Sequence, residues 1–165
     1  MADAIILEIT GPDIKGECQL DGFKDMITLE SFSHGLNQPM TMDPANQART
    51  VGRVNCQDLS ISKFADNATV ELINSINTSK NHTSVKLHLL KAIGDAAAGQ
   101  KEVMTITMDN TMFSSYSLSG GGGGPMEALT LNFTKITWAY KAQSTTGATP
   151  GNVTTNWNLA LGKKE

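Results

Sequence analysis

Five consecutive glycines, Gly120 to Gly124, closed by Pro125, separate two stretches of alternating polar and apolar residues. A glycine run brings no side chains to a core, and each glycine inside a helix costs about 1 kcal/mol relative to alanine. The run is therefore a connection. From Ser114 to Trp138 the sequence reads strand, glycine turn, then a long amphipathic strand whose polar face is filled by Ser and Thr. A phosphate-binding loop would need G-x-x-x-x-G-K-[ST], and here the run ends in Pro125 without a lysine. A dinucleotide site would need a helix next, and the pattern that follows is a strand.

The rest of the chain follows the same two-residue period. Ile5, Leu7 and Ile9 share one face of an expected strand over Ala4–Thr10. Ile6 makes the other face apolar too, so this strand is expected to be covered on both sides. Met26–His34 and Val54–Ile61 are further strand regions, and a change of parity in the second predicts a bulge or bend. Val85, Leu87 and Leu89 mark another strand, as do Met104, Ile106 and Met108, with a separate strand over Thr111–Ser119. A bulge near Thr134-Lys135 would bring Leu129, Leu131 and Phe133 into phase with Ile136, Trp138 and Tyr140. Gly94–Gln100 and Ala142–Thr155 read as loops, and Trp157, Leu159 and Leu161 as a short last strand.

One helix is expected. Asp66, Asn67 and Thr69 offer caps, and Val70, Ile73 and Ile76 recur at helical spacing, with Leu72 widening the stripe. Short strands at close intervals with a single helix define a mainly β fold, a two-sheet barrel or sandwich, with the helix plugging an open edge or end. The 165 residues are expected to form a single domain, residues 1–165.

Composition removes several functions. The net charge is −3, with no basic run to mark a nucleic-acid footprint. No window is apolar for the ~18 residues a membrane span needs. The start, MADAIILEIT, has neither the basic flank nor the apolar length of a secretory signal, so synthesis in the cytoplasm is expected. Charged residues make up only 18%, against the usual ~25%, and neutral polar residues replace them. A surface of that kind suits contact with copies of itself or with varied cargo.

Candidate chemistry is sparse. Cys18 and Cys56 do not form a C-x-x-C pair and read as free thiols. His34, His82 and His88 have no metal-ligand spacing, and no G-x-S-x-G elbow occurs. Met104, Met108, Met112 and Met126 read as core filling, and Trp138 and Trp157 as core or interface aromatics. No catalytic, cofactor or metal residues are assigned. One long segment, Asn37–Gly52, departs from the ~4–6 residues of an ordinary connection. It holds Gln38, Pro39, Met40, Thr41, Met42, Asp43 and Pro44, and its methionines are poor choices for a solvated linker.

Several segments resemble, in order, the Hcp (haemolysin-coregulated protein) family of bacterial type VI secretion. They are IKGE at Ile14–Glu17, FKDMITLESFSHGLNQP at Phe23–Pro39, ISKFADNAT at Ile61–Thr69, SSYSLSGGGGGPMEALTLNFTKITWAY at Ser114–Tyr140, and the terminal Trp157 and Leu159. Met26 departs from the tryptophan that members often carry there. The resemblance implies a two-sheet barrel with a lateral helix, closing as a hexameric ring. It implies rings stacked into a hollow tube that carries effectors, inside a sheath and beneath a spike protein, expelled without a cleavable signal. On that reading the Gln38–Pro44 residues reach toward the adjacent ring and support stacking. Other readings remain: a toxin-bearing relative, for which no room is expected after Glu165, and a monomeric β-barrel hydrolase or ligand-binding module.

Overall fold

The computed structural model describes residues 3–42, 44–45, 49–92, 99–142 and 151–165. Its strands are β1 (Ala4–Thr10), β2 (Ile27–Leu29), β3 (Ser31–Ser33), β4 (Leu36–Asn37), β5 (Met40–Met42), β6 (Arg49–Val51), β7 (Asn55–Cys56) and β8 (Leu59–Phe64). After the helix α1 (Thr69–Asn77) come β9 (His82–Ala92), β10 (Gln100–Ser119), β11 (Met126–Asn132), β12 (Lys135–Lys141) and β13 (Asn152–Asn158). All pairings between these strands are antiparallel.

Two layers share one strand. The first half of β10 pairs with β9 and β12, in a layer ordered β2-β1-β9-β10-β12-β13. Its second half pairs with β11, which leads on to β8 and β3. The two separate strands expected over residues 104–119 are thus one strand of 20 residues. It turns between the layers where Asn110 takes the left-handed conformation (φ 49°), which asparagine tolerates better than most side chains. The hydrogen-bonded order is open rather than a closed barrel, and the sandwich description fits it. Glu30, between β2 and β3, donates its backbone N–H to Ser62, so residues 27–33 run from one layer to the other.

The core lies between the layers. Leu7, Ile9, Val85, Leu87, Ile106 and Met108 come from the first, and Leu59, Ile61, Phe113, Leu129 and Leu131 from the second. The parity change after Phe133 is this same crossing, and no bulge within one strand occurs at Thr134-Lys135. β11 stops at Asn132, the Thr134 N–H bonds the Asp109 carbonyl, and Phe133 and Ile136 both enter the core from either side of the break. The parity change after Cys56 likewise separates β7 from β8. β1 is covered on both sides: Ile6, Cys18 and Leu90 form a second cluster beneath Leu20, Phe23 and Met26.

The helix turns a different face inward from the expected one. Ala68, Leu72 and Ser75 are buried, whereas Val70 is 74% exposed. Of the expected caps none holds the N-cap position, which is Ala68; Asp66 lies two residues ahead, its carboxylate accepting from the Ala68 N–H at 3.0 Å. Among the core-filling methionines expected, Met108 is fully buried, but Met112 and Met126 are exposed. β13 ends at Asn158, so Leu159 and Leu161 lie beyond it. Of the expected loops Gly94–Gln100 and Ala142–Thr155, residues 94–98 and 143–150 lie outside the described residues, whereas Gln100 opens β10 and Asn152–Thr155 belong to β13, paired with β12.

Candidate assembly surface

Two adjoining rows on the outer face of the second layer form a carpet of small side chains, nearly all hydroxyls, and the row beyond them toward the helix holds Phe64, Met126 and Ser119. Register places Ser31, Ser62, Ala128 and Ser117 in one row, and Ser33, Ser60, Thr130 and Ser115 in the next. No charged or large apolar side chain stands in either row. The hydroxyls bond one another: Ser31 to Ser62 at 2.6 Å, and Thr130 to both Ser114 and Ser115 at 2.6 Å. Asp58 closes one end, accepting from Ser114 and Asn132 at 2.8 Å each. Alternation puts Ile61, Leu129 and Leu131 on the opposite side of the same strands, in the core.

At the end of this layer nearest the helix, the core side carries a buried ion pair. Lys63 and Glu127 face each other across β8 and β11, both fully buried, at 2.6 Å. Lys63 also bonds Asp66 at 2.8 Å, and the Tyr116 hydroxyl donates to Glu127 at 2.7 Å. Burial and the Glu127 carboxylate push the Tyr116 phenol up to about 12.

A second surface is the hairpin arm of β5 and β6. Register pairs Met40 with Val51 and Met42 with Arg49, so Met40, Met42 and Val51 share a face. They are 57%, 69% and 54% exposed. The Pro39 carbonyl accepts from the Gly52 N–H at 2.7 Å, and the Gln38 amide bonds the Gly52 carbonyl at 3.2 Å, which fixes the base of the arm. Of the residues singled out by sequence, Gln38, Pro39, Met40, Thr41 and Met42 stand together here, and Pro44 is exposed near the tip. Asp43 lies outside the described residues. Val51 was missed, and so was the serine carpet. Serine at every second position, as in Ser31/Ser33 and Ser60/Ser62, was its signal.

Groups with catalytic chemistry are placed for structure. The Ser75 hydroxyl lies 2.7 Å from His82 Nε2, and His82 Nδ1 donates to the Pro12 carbonyl at 2.9 Å. This spacing is that of a nucleophile–base pair, but Ser75 is 2% exposed and His82 0%, at the floor of a recess also lined by Glu71, Asn74 and Lys80. The pair ties α1 to β9. Burial lowers the His82 imidazole, opposed by the Pro12 hydrogen bond. His82 is the first residue of β9. Across the first layer, His88 bridges Glu8 at 3.2 Å and Glu102 at 3.1 Å. Burial raises the Glu102 carboxyl, but bonds from Lys141, Thr105 and His88 outweigh it and hold it low. Cys56 Sγ lies 3.8 Å from His34, and burial, reinforced by Asp58, raises the thiol away from the reactive thiolate. Among the described residues, no three His, Cys, Asp or Glu side chains are placed to hold a metal ion. None of their helices is long and apolar enough to cross a membrane.

A filled β core, a neutral hydroxyl face and an apolar arm define a protein that works by association. Known proteins place it further. The family model for "Type VI secretion system effector, Hcp" matches residues 6–140. Protein hcp1 of Pseudomonas aeruginosa is 36% identical over 110 residues, 65% of this chain and 66% of that protein's length. In fold, the chain matches a type six secretion system protein at TM-score 0.88, with 24% identity over 99% of this chain and all of that one. It matches Hcp1 from Salmonella typhimurium at 0.79, with 23% identity and full coverage of both. The chain belongs to the Hcp family of type VI secretion.

Proposed function

We infer that this chain is the repeating subunit of a type VI secretion tube, closing as a hexameric ring whose channel is walled by the serine face. The observation that carries this is the composition of that face. Protein–protein contacts are enriched in aromatic residues, Met and Arg and depleted in Ser. The carpet has the opposite composition, and its hydroxyls already bond one another. It is a wall along which cargo moves without a strong hold. The arm has the composition of a contact, and Gln38, Pro39, Met40, Thr41, Met42, Asp43 and Pro44 are assigned to stacking against the adjacent ring. The work is done by binding, with no bond made or broken.

The partners on this reading are further copies of the chain, effectors in the channel, the spike and the sheath. The protein is made in the bacterial cytoplasm and exported by the type VI machine. The 1–165 chain acts as one domain. Light scattering and negative-stain imaging of purified protein test the reading: a ring-sized particle with a solvent-filled hole is expected. A strict monomer at high concentration overturns it.

A further inference from the structure

We propose that the rim of the hydroxyl wall carries a recess for a basic side chain, an arginine or lysine on the surface of a carried protein. The inference rests on the channel reading of that face and names the chemistry of what is held there.

Beyond the two hydroxyl rows, Ser119, Met126 and Phe64 form the next row toward the helix. Phe64 keeps the parity of Ser60 and Ser62, so its ring stands on the outer face beside Met126 and is 45% exposed. The pairing of β3 with β8 ends at Ser31 and Ser62, so no described strand covers the far flank of Phe64. A recess of about 240 Å³ opens there, lined by Glu17, Thr28, Glu30, Phe64, Ala65 and Asp66. The backbone fixes its walls. The Ala65 N–H bonds the Pro125 carbonyl at 3.1 Å, and the Glu30 N–H bonds the Ser62 carbonyl at 2.9 Å.

The charge of the lining has one sign: three of the six residues are carboxylates and none is a cation. Asp66 is held by Lys63, which lies fully buried on the core side, and Glu17 accepts from the Asn67 N–H at 3.2 Å. The exposed Glu30 carboxylate makes no ion pair among the described residues. An aromatic face beside carboxylates attracts a cation, and the ring covers the aliphatic stem that carries it. An anion would meet like charge, and a wholly apolar group would strip water from carboxylates without replacing it. Pockets for drug-sized ligands run to about 300–1,000 Å³, so this recess suits a single side chain. The neighbouring hydroxyl rows offer no such hold. A basic protein would therefore be retained at the rim and slide over the rest of the wall. In a closed ring the recess repeats once per copy, so weak single contacts combine into avidity.

A fluorescein-labelled Gly-Arg repeat peptide, followed by anisotropy, tests the site on the full chain. It should bind, and a Gly-Glu repeat should not. Phe64→Leu and Glu30→Gln should each weaken binding by about two- to fivefold, the factor that one exposed cation–π or ion-pair contact supplies. Phe64→Tyr should preserve it. Glu71→Gln removes the same charge from α1, outside the recess, and should leave binding unchanged. Equal losses from Glu30→Gln and Glu71→Gln would mean attraction to net charge alone and overturn the proposal, as would binding indifferent to Phe64→Leu. A measurement without substitutions is the NMR shift of the Phe64 ring protons on adding the peptide; shifts confined to other residues overturn the site. Light scattering on the same samples separates this inference from the reading beneath it. Rings that ignore the peptide overturn the recess and leave the channel standing, whereas single subunits that bind it keep the recess and overturn the channel.

Discussion

Lys63 shows how one residue's surroundings reverse its ordinary meaning. A lysine in a strand with Ser60 and Ser62 reads as surface, yet Lys63 follows the parity of Leu59 and Ile61 into the core and is fully buried. Removing one partner of a buried pair leaves the other charge unpaired, at about 3–5 kcal/mol. Lys63→Met should therefore lower stability by about 3–5 kcal/mol in urea denaturation. The double variant Lys63→Met, Glu127→Leu should recover most of the loss, because the fully buried carboxylate is gone and Asp66, partly exposed, keeps its bond from the Ala68 N–H. His82 gives a pH prediction. An unfolded imidazole titrates near 6.5, and burial lowers the folded value, so below 6.5 the unfolded state binds more protons. Its contribution is complete above pH 6.5 and is lost as pH falls through the folded value. The denaturation midpoint should be lower at about pH 5.5 than at about pH 7.5. His82→Gln should flatten that dependence, and His34, also lowered by burial, accounts for a residual slope.

At the scale of elements, the strands were legible wherever one face met the core, since burial on one side imposes a two-residue period. β1 follows its sequence pattern from end to end. The helix was legible as a helix but not in its orientation. Four β-branched or aliphatic positions competed for the core, and only the approach of the two layers selected Leu72 over Val70. Leu72→Ala should cost about 2–5 kcal/mol by the cavity it leaves, and Val70→Ala should stay within about 0.5 kcal/mol. Thermal melts of the two variants check this. The glycine turn makes a complementary case. A Cβ on any of Gly120 to Gly124 would meet nothing, so no packing depends on the run. Shortening it by two residues should leave the melting temperature and the particle mass from light scattering essentially unchanged.

At the scale of the whole molecule, the proposed reading divides association between faces of opposite character: hydroxyl rows toward the channel, and an apolar arm toward the next ring. Deleting Met40 to Ala48 should leave single rings intact and reduce the number of rings per stack in micrographs. Unchanged tubes would show that the arm is not the stacking element. The broad class was open in the sequence because composition and period act locally. Alternating residues, scarce charge and a glycine turn dictate strands with one wet face whatever their partners. The tertiary structure decided what depends on register between distant segments. It joined two expected strands into β10, turned the expected bulge near Thr134-Lys135 into a crossing between layers, and placed Lys63 against Glu127. It also lined up serines of β3, β8 and β10 with Thr130 of β11 as one surface. Those outcomes follow from which strands meet and in what alignment, and a side chain's neighbours across a sheet are set by chain pairing over tens of residues, which no local pattern contains.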